Sequence, residues 1–293
     1  MRVLWLGWEG TYPLRRTLEA AAQLGIELDG CELFEISFMA DGDRIGIFRN
    51  GCNLLDVYDA LIVRTFHPYI SEALTIARLF RDAGKTVVDR ALTEEGYVVS
   101  KMHDHLLLAQ HGIAGPRTYQ LFDPAEVEAA AARIGYPCVL KGVHGGLGNH
   151  IFKVDDVAQL RRRLWRYPHG ELAIQEYLPA AEDYRLLVIG YRALPAVVSR
   201  TPPAGDFRTN FAVGGTVEAH GLDEFPGFAE LAERSARVLK REFAGVDIRM
   251  KDGQPLVLEV NRVPDFEGFE RASGLDVAST FLEYVRDQTK QRS

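Results

Sequence analysis

Cysteine is scarce: Cys31, Cys52 and Cys138 are the only three in 293 residues, widely spaced and never in a CxxC pair. Neither a disulfide framework nor a cysteine zinc site is encoded, and all three are expected to be buried thiols. No GxGxxG follows the first apolar run; LGWEG has glycines at the wrong spacing, which argues against a nicotinamide site. Long apolar runs are lacking too. VLWLGW after Met1 is broken at Glu9, too short for a signal-peptide core, and no later run approaches a membrane span, so a soluble, cytoplasmic protein is expected. Nor is there an excess of positive charge. With 34 Lys+Arg against 41 Asp+Glu the net charge is −7, which gives nucleic acid or an anionic membrane no overall attraction, and neither is expected as a partner.

What is present is enough apolar material for a large core: 47% of residues are hydrophobic and 26% charged, a mix that excludes disorder and favours two or three domains. Through residue 98 the apolar runs RVLWLG, CELFEISF, DALIVR and KTVVD alternate with helical patterns at PLRRTLEAAAQLGI and EALTIARLFRDAG. That alternation reads as a parallel α/β layer, with DRIGIFRNG as an inserted hairpin. From Ser100 the order changes to helix SKMHDHLLLAQHG, helix PAEVEAAAARIG, strand PCVLK, a glycine-rich turn, strand HIFKV and a helix from Asp155 or Asp156. ELAIQEYL, YRLLVIGYRALPAVVSR and VDIRMKDGQPLVLEVN then carry antiparallel signals. Boundaries near 98 and 176 divide the chain into 1–98, 99–176 and 177–293.

Three clusters can carry chemistry. Lys141 ends a strand and is followed by GVHGGLGN, where Gly145, Gly146 and Gly148 leave backbone amides open to a phosphate. GxxxxGK[ST] is absent, and taken alone a glycine-rich hairpin tip with a solvated lysine explains the stretch equally well. Glu259 and Asn261 are two apart on a strand and share a face; with Asp247 they offer the hard oxygen ligands that magnesium prefers, although exposed sheet faces alternate in the same way. Arg208 and Asn210 sit in the loop AGDFRTNFAVGG, where an arginine and an amide can grip phosphoryl oxygens or an oxyanion. Asp183 and Arg185 follow QEYL, and Arg200 closes PAVVSR.

The motifs around Lys101, around Lys141, QEYLPAAEDYR, GDFRTN followed by GG, and GVDIRMKDGQPLVLEVN fall in one order over about 160 residues. In that order and spacing the chain resembles the ATP-grasp superfamily, most closely the RimK-like amino-acid ligases, which include ribosomal-protein glutamate ligase and LysX-type ligases. The resemblance implies an ATP-grasp architecture of mixed α/β and α+β class: an N-terminal parallel α/β layer, a small central lid and a C-terminal antiparallel α+β domain carrying the metal site. It implies an ATP-dependent carboxylate-amine ligase, with ATP and two Mg2+ ions, or Mn2+ in their place, acting through an acyl phosphate. An amino acid and a carboxylate-bearing peptide, carrier protein or metabolite would be the substrates, and a homo-oligomer is compatible with it. By position, Lys101 and Lys141 match the phosphate-holding lysines, Glu176 and Tyr177 the segment that reads the adenine edge, and Asp183 the ribose contact, with Arg185 beside it. Arg208, Asn210 and Arg200 match the region of the transferred phosphate, and Asp247, Glu259 and Asn261 the magnesium ligands.

Departures fall at His150, where ribosomal-type ligases place a glycine, at Ala212, and at Arg262 to Asp265 after EVN. Arg262 is therefore expected either to take a substrate carboxylate or to pair with Asp265 or Glu267. A nucleotide-binding module without turnover and a peptide macrocyclase of the same fold remain as alternatives. RRRLWR reads as a solvated helix face or a dock for an acidic peptide. His103 and His105, two apart on a helix, diverge and do not share a metal, and His144 and His150 flank the glycine loop. For Asp247 to join Glu259, a three-residue loop at Lys251, Asp252 and Gly253 is expected, setting Asp247 opposite Val257.

Overall fold

The structure, a computed structural model, describes residues 1–65, 68–143, 151–167, 170–179, 182–203, 205 and 214–291. The parallel layer contains β1 (Arg2–Leu6), β2 (Glu27–Cys31), β6 (Ala60–Val63) and β7 (Thr86–Val88), in the order β2-β1-β6-β7. β1 is covered on both sides: Val3 and Trp5 join one apolar cluster, Leu4 and Leu6 another. Its sequence therefore reads as a continuous apolar run. α1 (Tyr12–Leu24) covers the first face; the Thr11 hydroxyl accepts the Leu14 N–H at its start, and Gly25 ends it at φ 65°. α3 (Ile70–Asp82) covers the second with Ala73, Ile76, Ala77 and Phe80.

The second parallel strand is Glu27–Cys31 and not CELFEISF. That segment instead gives a turn of 3-10 helix at Leu33–Glu35 and β3 (Ser37–Asp41), paired in a hairpin with β4 (Arg44–Arg49); β5 (Cys52–Asn53) and α2 (Leu54–Val57) follow. As the edge of its sheet, ELDGC forms a strand without an apolar run to announce it. Cys31 and Cys138 are buried, whereas Cys52 is exposed, against expectation.

α4 (Lys101–Gln110) starts at Ser100, whose side chain accepts the His103 N–H, and it delivers Leu108 to the C-terminal core. The lid's own sheet, ordered β10-β9-β11-β8, comprises β8 (Thr118–Gln120), β9 (Cys138–Gly142), β10 (Ile151–Val154) and β11 (Leu172–Glu176). α5 (Pro124–Ile134) and α6 (Val157–Leu164), the latter capped by Asp156, pack on one face over Cys138, Leu140, Val154 and Ile174. Alternation then turns Val139 and Lys141 to the opposite face.

The C-terminal sheet runs β15-β14-β12-β16-β17, from β12 (Asp183–Ile189), β14 (Val197–Thr201), β15 (Thr216–His220), β16 (Phe243–Lys251) and β17 (Gln254–Asn261), with β13 (Arg192–Ala193) on β12. α7 (Phe228–Val238) and α4 cover one face, where Leu186, Val188, Val246, Ile248, Val257 and Val260 form the core. On the other face Leu187, Val198 and Phe243 meet α9 (Val277–Lys290), which follows α8 (Glu267–Ser273) and packs Phe281 and Leu282 into the cluster that holds Val3 and Trp5 of the N-terminal sheet. First and last domains thus share one core. Among the described residues no helix is long and apolar enough to cross a membrane.

The β16/β17 register corrects the expected turn. Lys251 pairs with Gln254, so Asp252 and Gly253 form a two-residue turn, both with positive φ (51° and 76°), the geometry of a type I′ hairpin. Ile248 lies opposite Val257, and then the register shifts: Leu258 is an extra residue, and Asp247 stands opposite Glu259. Continued without that bulge, the alternation would turn Glu259 and Asn261 into the core with Val257. One bulged residue returns both to the face of Asp247. The convergence is as expected, and the device that achieves it is a bulge in the strand instead of a longer turn.

Candidate active site

On the face of the C-terminal sheet opposite α7, the apolar half gives way to a row of charges at alternating positions: Asp183 and Arg185 on β12, Arg200 on β14, Asp247 and Arg249 on β16. Register sets opposite signs directly across from one another, Asp183 beside Arg200 and Arg185 beside Asp247. Arg185 holds Asp247 with two parallel bonds of 2.8 Å, from Nε to Oδ1 and from Nη2 to Oδ2. Arg200 donates from Nε to Asp183 Oδ1 at 2.7 Å and places Nη2 3.1 Å from Asp247 Oδ1. The Asn261 amide donates to Asp247 Oδ2 at 3.2 Å. Burial alone would raise the Asp247 carboxyl; Arg185 and then Arg200 overcome it and hold it at about 2. Arg249 puts Nη2 3.5 Å from Asp183 Oδ2, donates from Nη1 to the Leu178 carbonyl and keeps a buried Nε with no partner among the described residues. Three guanidiniums thus meet two carboxylates in this network, and Glu259, on the same face, is paired with Lys101 from the other side.

Opposite it stand the lysines. Lys141 on β9 and Lys101 at the start of α4 line one small cavity with His105, Gln175, Leu258 and Glu259. Lys101 Nζ is 3.1 Å from Glu259 Oε1. Burial would raise the Glu259 carboxyl, and the Lys101 and Lys141 ammoniums reverse the shift and hold it below the usual range. Lys141 itself is pushed down, by burial first and by Lys101 among its neighbours. His105 is likewise brought to about 4 from 6.5, by burial and then by Lys141 and Lys101, with Glu259 opposing. Its imidazole is neutral at pH 7 in both the folded and unfolded chain. As pH falls from 6.5 toward 4 only the unfolded chain takes up the proton, so the fold should lose roughly 3 kcal/mol across that window. Denaturant unfolding of wild type and His105→Gln at pH 7 and pH 4 tests this: the variant should be less pH-dependent by about that amount.

Glu176, at the end of β11, accepts the Arg117 N–H at 2.9 Å and lies 2.8 Å from Lys251 Nζ, tying lid to hairpin turn, while Lys153 Nζ stands 5.0 Å from the centre of the Tyr177 ring. Asp183 is 3% exposed, with Oδ1 accepting from Arg200 and Oδ2 3.5 Å from Arg249. Arg262 pairs with neither Asp265 nor Glu267. Its Nη1 donates to Asp89 Oδ2, and the side chain is 7% exposed. Gly145, Gly146, Gly148, His144, His150, Arg208, Asn210 and Ala212 lie outside the described residues. Sequence reasoning did not single out Arg249, which repeats the two-residue spacing of Asp247, nor Asp89, Arg117 and Lys251, which act only through long-range pairs.

A model of the RimK-like ATP-grasp domain matches residues 99–285. The chain belongs to the RimK-like ATP-grasp family. This RimK-like chain is 31% identical over 246 residues to a "Probable alpha-L-glutamate ligase" of Pectobacterium carotovorum, covering 81% of this chain and 79% of the relative. It is 28% identical over 295 residues to the ribosomal protein bS6–L-glutamate ligase of Escherichia coli O81, covering 97% and 95%. In fold it is similar to the ATP-grasp ligase PsnB in complex with a minimal precursor (TM-score 0.72, 20% identity, 98% of each chain) and to the macrocyclase MdnC of Microcystis aeruginosa bound to the precursor peptide MdnA (TM-score 0.72, 15% identity, 98% and 100%). The RimK-like chain is thus an ATP-dependent ligase that forms an amide bond between a carboxylate and an amine, and PsnB is also seen in complex with its minimal precursor, magnesium and ADP.

The side chains fit both groups. Glu259 Oε2 and Asn261 Oδ1 accept no hydrogen bond from any described residue and stand on the Asp247 face, a hard-oxygen set suited to magnesium. The partnerless Arg249 Nε, with Lys101 and Lys141 opposite, suits a polyphosphate. Among the described residues no three His, Cys, Asp or Glu side chains group as a metal site.

Proposed function

We propose that this chain joins an amino acid to a carboxylate on a peptide or protein in the cytoplasm, where ATP is supplied, using two magnesium ions or manganese in their place. The observation that carries this reading is the bulge at Leu258, because it brings Glu259 and Asn261 onto the face of Asp247, Arg185 and Arg200, across from Lys101 and Lys141. Asp247, Glu259 and Asn261 would hold the metal, which supplies charge neutralisation on the phosphates. Lys141 and Lys101 bind phosphate oxygens from the lid side, and the Glu176–Lys251 contact keeps the lid in register with the hairpin. Arg200, fixed by Asp183 and Asp247, presents a rigid fork to the transferred phosphoryl group and to the acyl phosphate it makes. The described part of the site offers positioning and charge, which is what phosphoryl transfer followed by amine attack requires. The glutamate ligases among its relatives support an amino acid as the amine, and the precursor-bound PsnB and MdnC structures support a peptide partner.

The test is amino-acid-dependent release of ADP with a panel of free amino acids and carboxyl-rich peptides, followed by mass analysis of the product. ADP formation that no amino acid stimulates would return the chain to a nucleotide-binding module. A second expectation concerns ATP alone: Lys141→Ala should weaken ATP binding about tenfold or more, the loss of one charge-assisted contact. Titration calorimetry on the folded variant reads it directly.

A further inference from the structure

We propose that Arg64 and Arg262, facing each other across Asp89, form a subsite for a non-reacting carboxylate of the amino-acid substrate. The proposal rests on the ligase reading above and names one anchor of that substrate.

Arg64 directly follows β6, at the carboxyl end of the parallel sheet, where open α/β sheets hold ligands. Its backbone N–H donates to the Leu6 carbonyl at 2.8 Å, and a Cβ on the neighbouring Gly7 would come within 3.2 Å of the Arg64 Cβ, so the glycine leaves this arginine its seat. The side chain is 3% exposed, with its guanidinium carbon 4.7 Å from the centre of the Phe243 ring and 5.7 Å from those of Trp5 and Phe281. Among the described residues it has no ion-pair partner, and its Nε and Nη2 are buried with no acceptor there.

Arg262 arrives from the C-terminal domain, one residue after Asn261. Its Nη1 donates to Asp89 and its carbon lies 4.9 Å over the Tyr97 ring, yet its Nη2 is also buried with no acceptor. Asp89 cannot serve both arginines fully. Its Oδ1 already accepts the Glu242 and Phe243 N–H groups at 2.7 and 3.2 Å, and its Oδ2 is taken by Arg262. One carboxylate against two guanidiniums leaves three buried nitrogens without a partner among the described residues, an arrangement that a second carboxylate completes. Asn261, one residue before Arg262, donates to Asp247, and the Asp265 carbonyl accepts from Arg185 Nη1 at 3.4 Å, which ties the backbone on either side of Arg262 to the Arg185–Asp247 pair.

The experiment is titration of the full chain, in the presence of ATP analogue and magnesium, with L-glutamate and with its α-amide and γ-amide as probes. Wild type should bind L-glutamate about tenfold or more tightly than one of the two amides, and which amide loses affinity tells whether the α- or the side-chain carboxylate is held. Arg64→Met replaces an unpaired buried charge with an apolar chain of similar length, so its melting temperature should hold or rise while that discrimination disappears. Equal affinity for acid and both amides in wild type overturns the subsite, and needs no variant to fold. A lowered melting temperature in Arg64→Met with discrimination intact also overturns it and makes the cluster a domain tie. The ligase reading fails separately: wild type that discriminates glutamate from an amide but forms no amide bond keeps the subsite and loses the ligase.

Discussion

Asp247→Asn should lower unfolding stability by about 3 kcal/mol or more and cut turnover at least about a hundredfold. The carboxylate is held by a bidentate Arg185, by Arg200 and by the Asn261 amide. Asparagine keeps the shape but supplies no charge, so two largely buried guanidiniums lose their shared counter-ion, and a metal held as proposed would lose an anionic ligand. The two losses are separable, since stability is read by denaturant unfolding without nucleotide and turnover by ADP release at a temperature where the variant is folded. Wild-type turnover in a folded Asp247→Asn protein would remove Asp247 from the metal site. An unchanged unfolding free energy would mean the arginine network contributes nothing net to stability.

Arg200→Lys is expected to act on the reaction while sparing the ground state. Lysine keeps the positive charge and cannot reach Asp183 and Asp247 at once, as the guanidinium does through Nε and Nη2. If the fork is aimed at charge that develops on the phosphoryl group, turnover should fall by about a hundredfold, and the dissociation constant for ATP should move by less than about threefold. Parallel losses in both quantities would make Arg200 an ordinary nucleotide contact. Paired measurement of single-turnover rate and equilibrium ATP binding distinguishes the cases.

How much of this could be read from the chain depends on the range of the interactions involved. Lys141 at a strand end before glycines, Glu259 and Asn261 two apart, and the alternation of Asp183 with Arg185 are local patterns, and local geometry fixes the side each residue faces. The two-residue turn at Asp252 and Gly253 was also locally encoded; what the sequence conceals is the bulge at Leu258, because an extra residue in a strand leaves no compositional mark. ELDGC is too polar to read as a strand and becomes one because β1 offers it an edge. Arg262 could be recognised as unusual after EVN, but its partner Asp89 lies 173 residues away on another domain, and chain neighbours Asp265 and Glu267 were the only carboxylates that sequence spacing could propose. The packing of α9 onto the N-terminal sheet is equally nonlocal, since an amphipathic helix does not state which sheet it covers.

This fold uses ATP to activate a carboxylate for attack by an amine. The measurement that addresses this most directly uses an acceptor peptide whose carboxylate oxygens carry a heavy-oxygen label, with the inorganic phosphate collected for mass analysis. Passage through an acyl phosphate moves one labelled oxygen from each reacting carboxylate into phosphate for every amide bond formed. Labelled phosphate is expected in step with amide and ADP. Amide bonds formed with label-free phosphate, or ADP released with no amide at all, would contradict it.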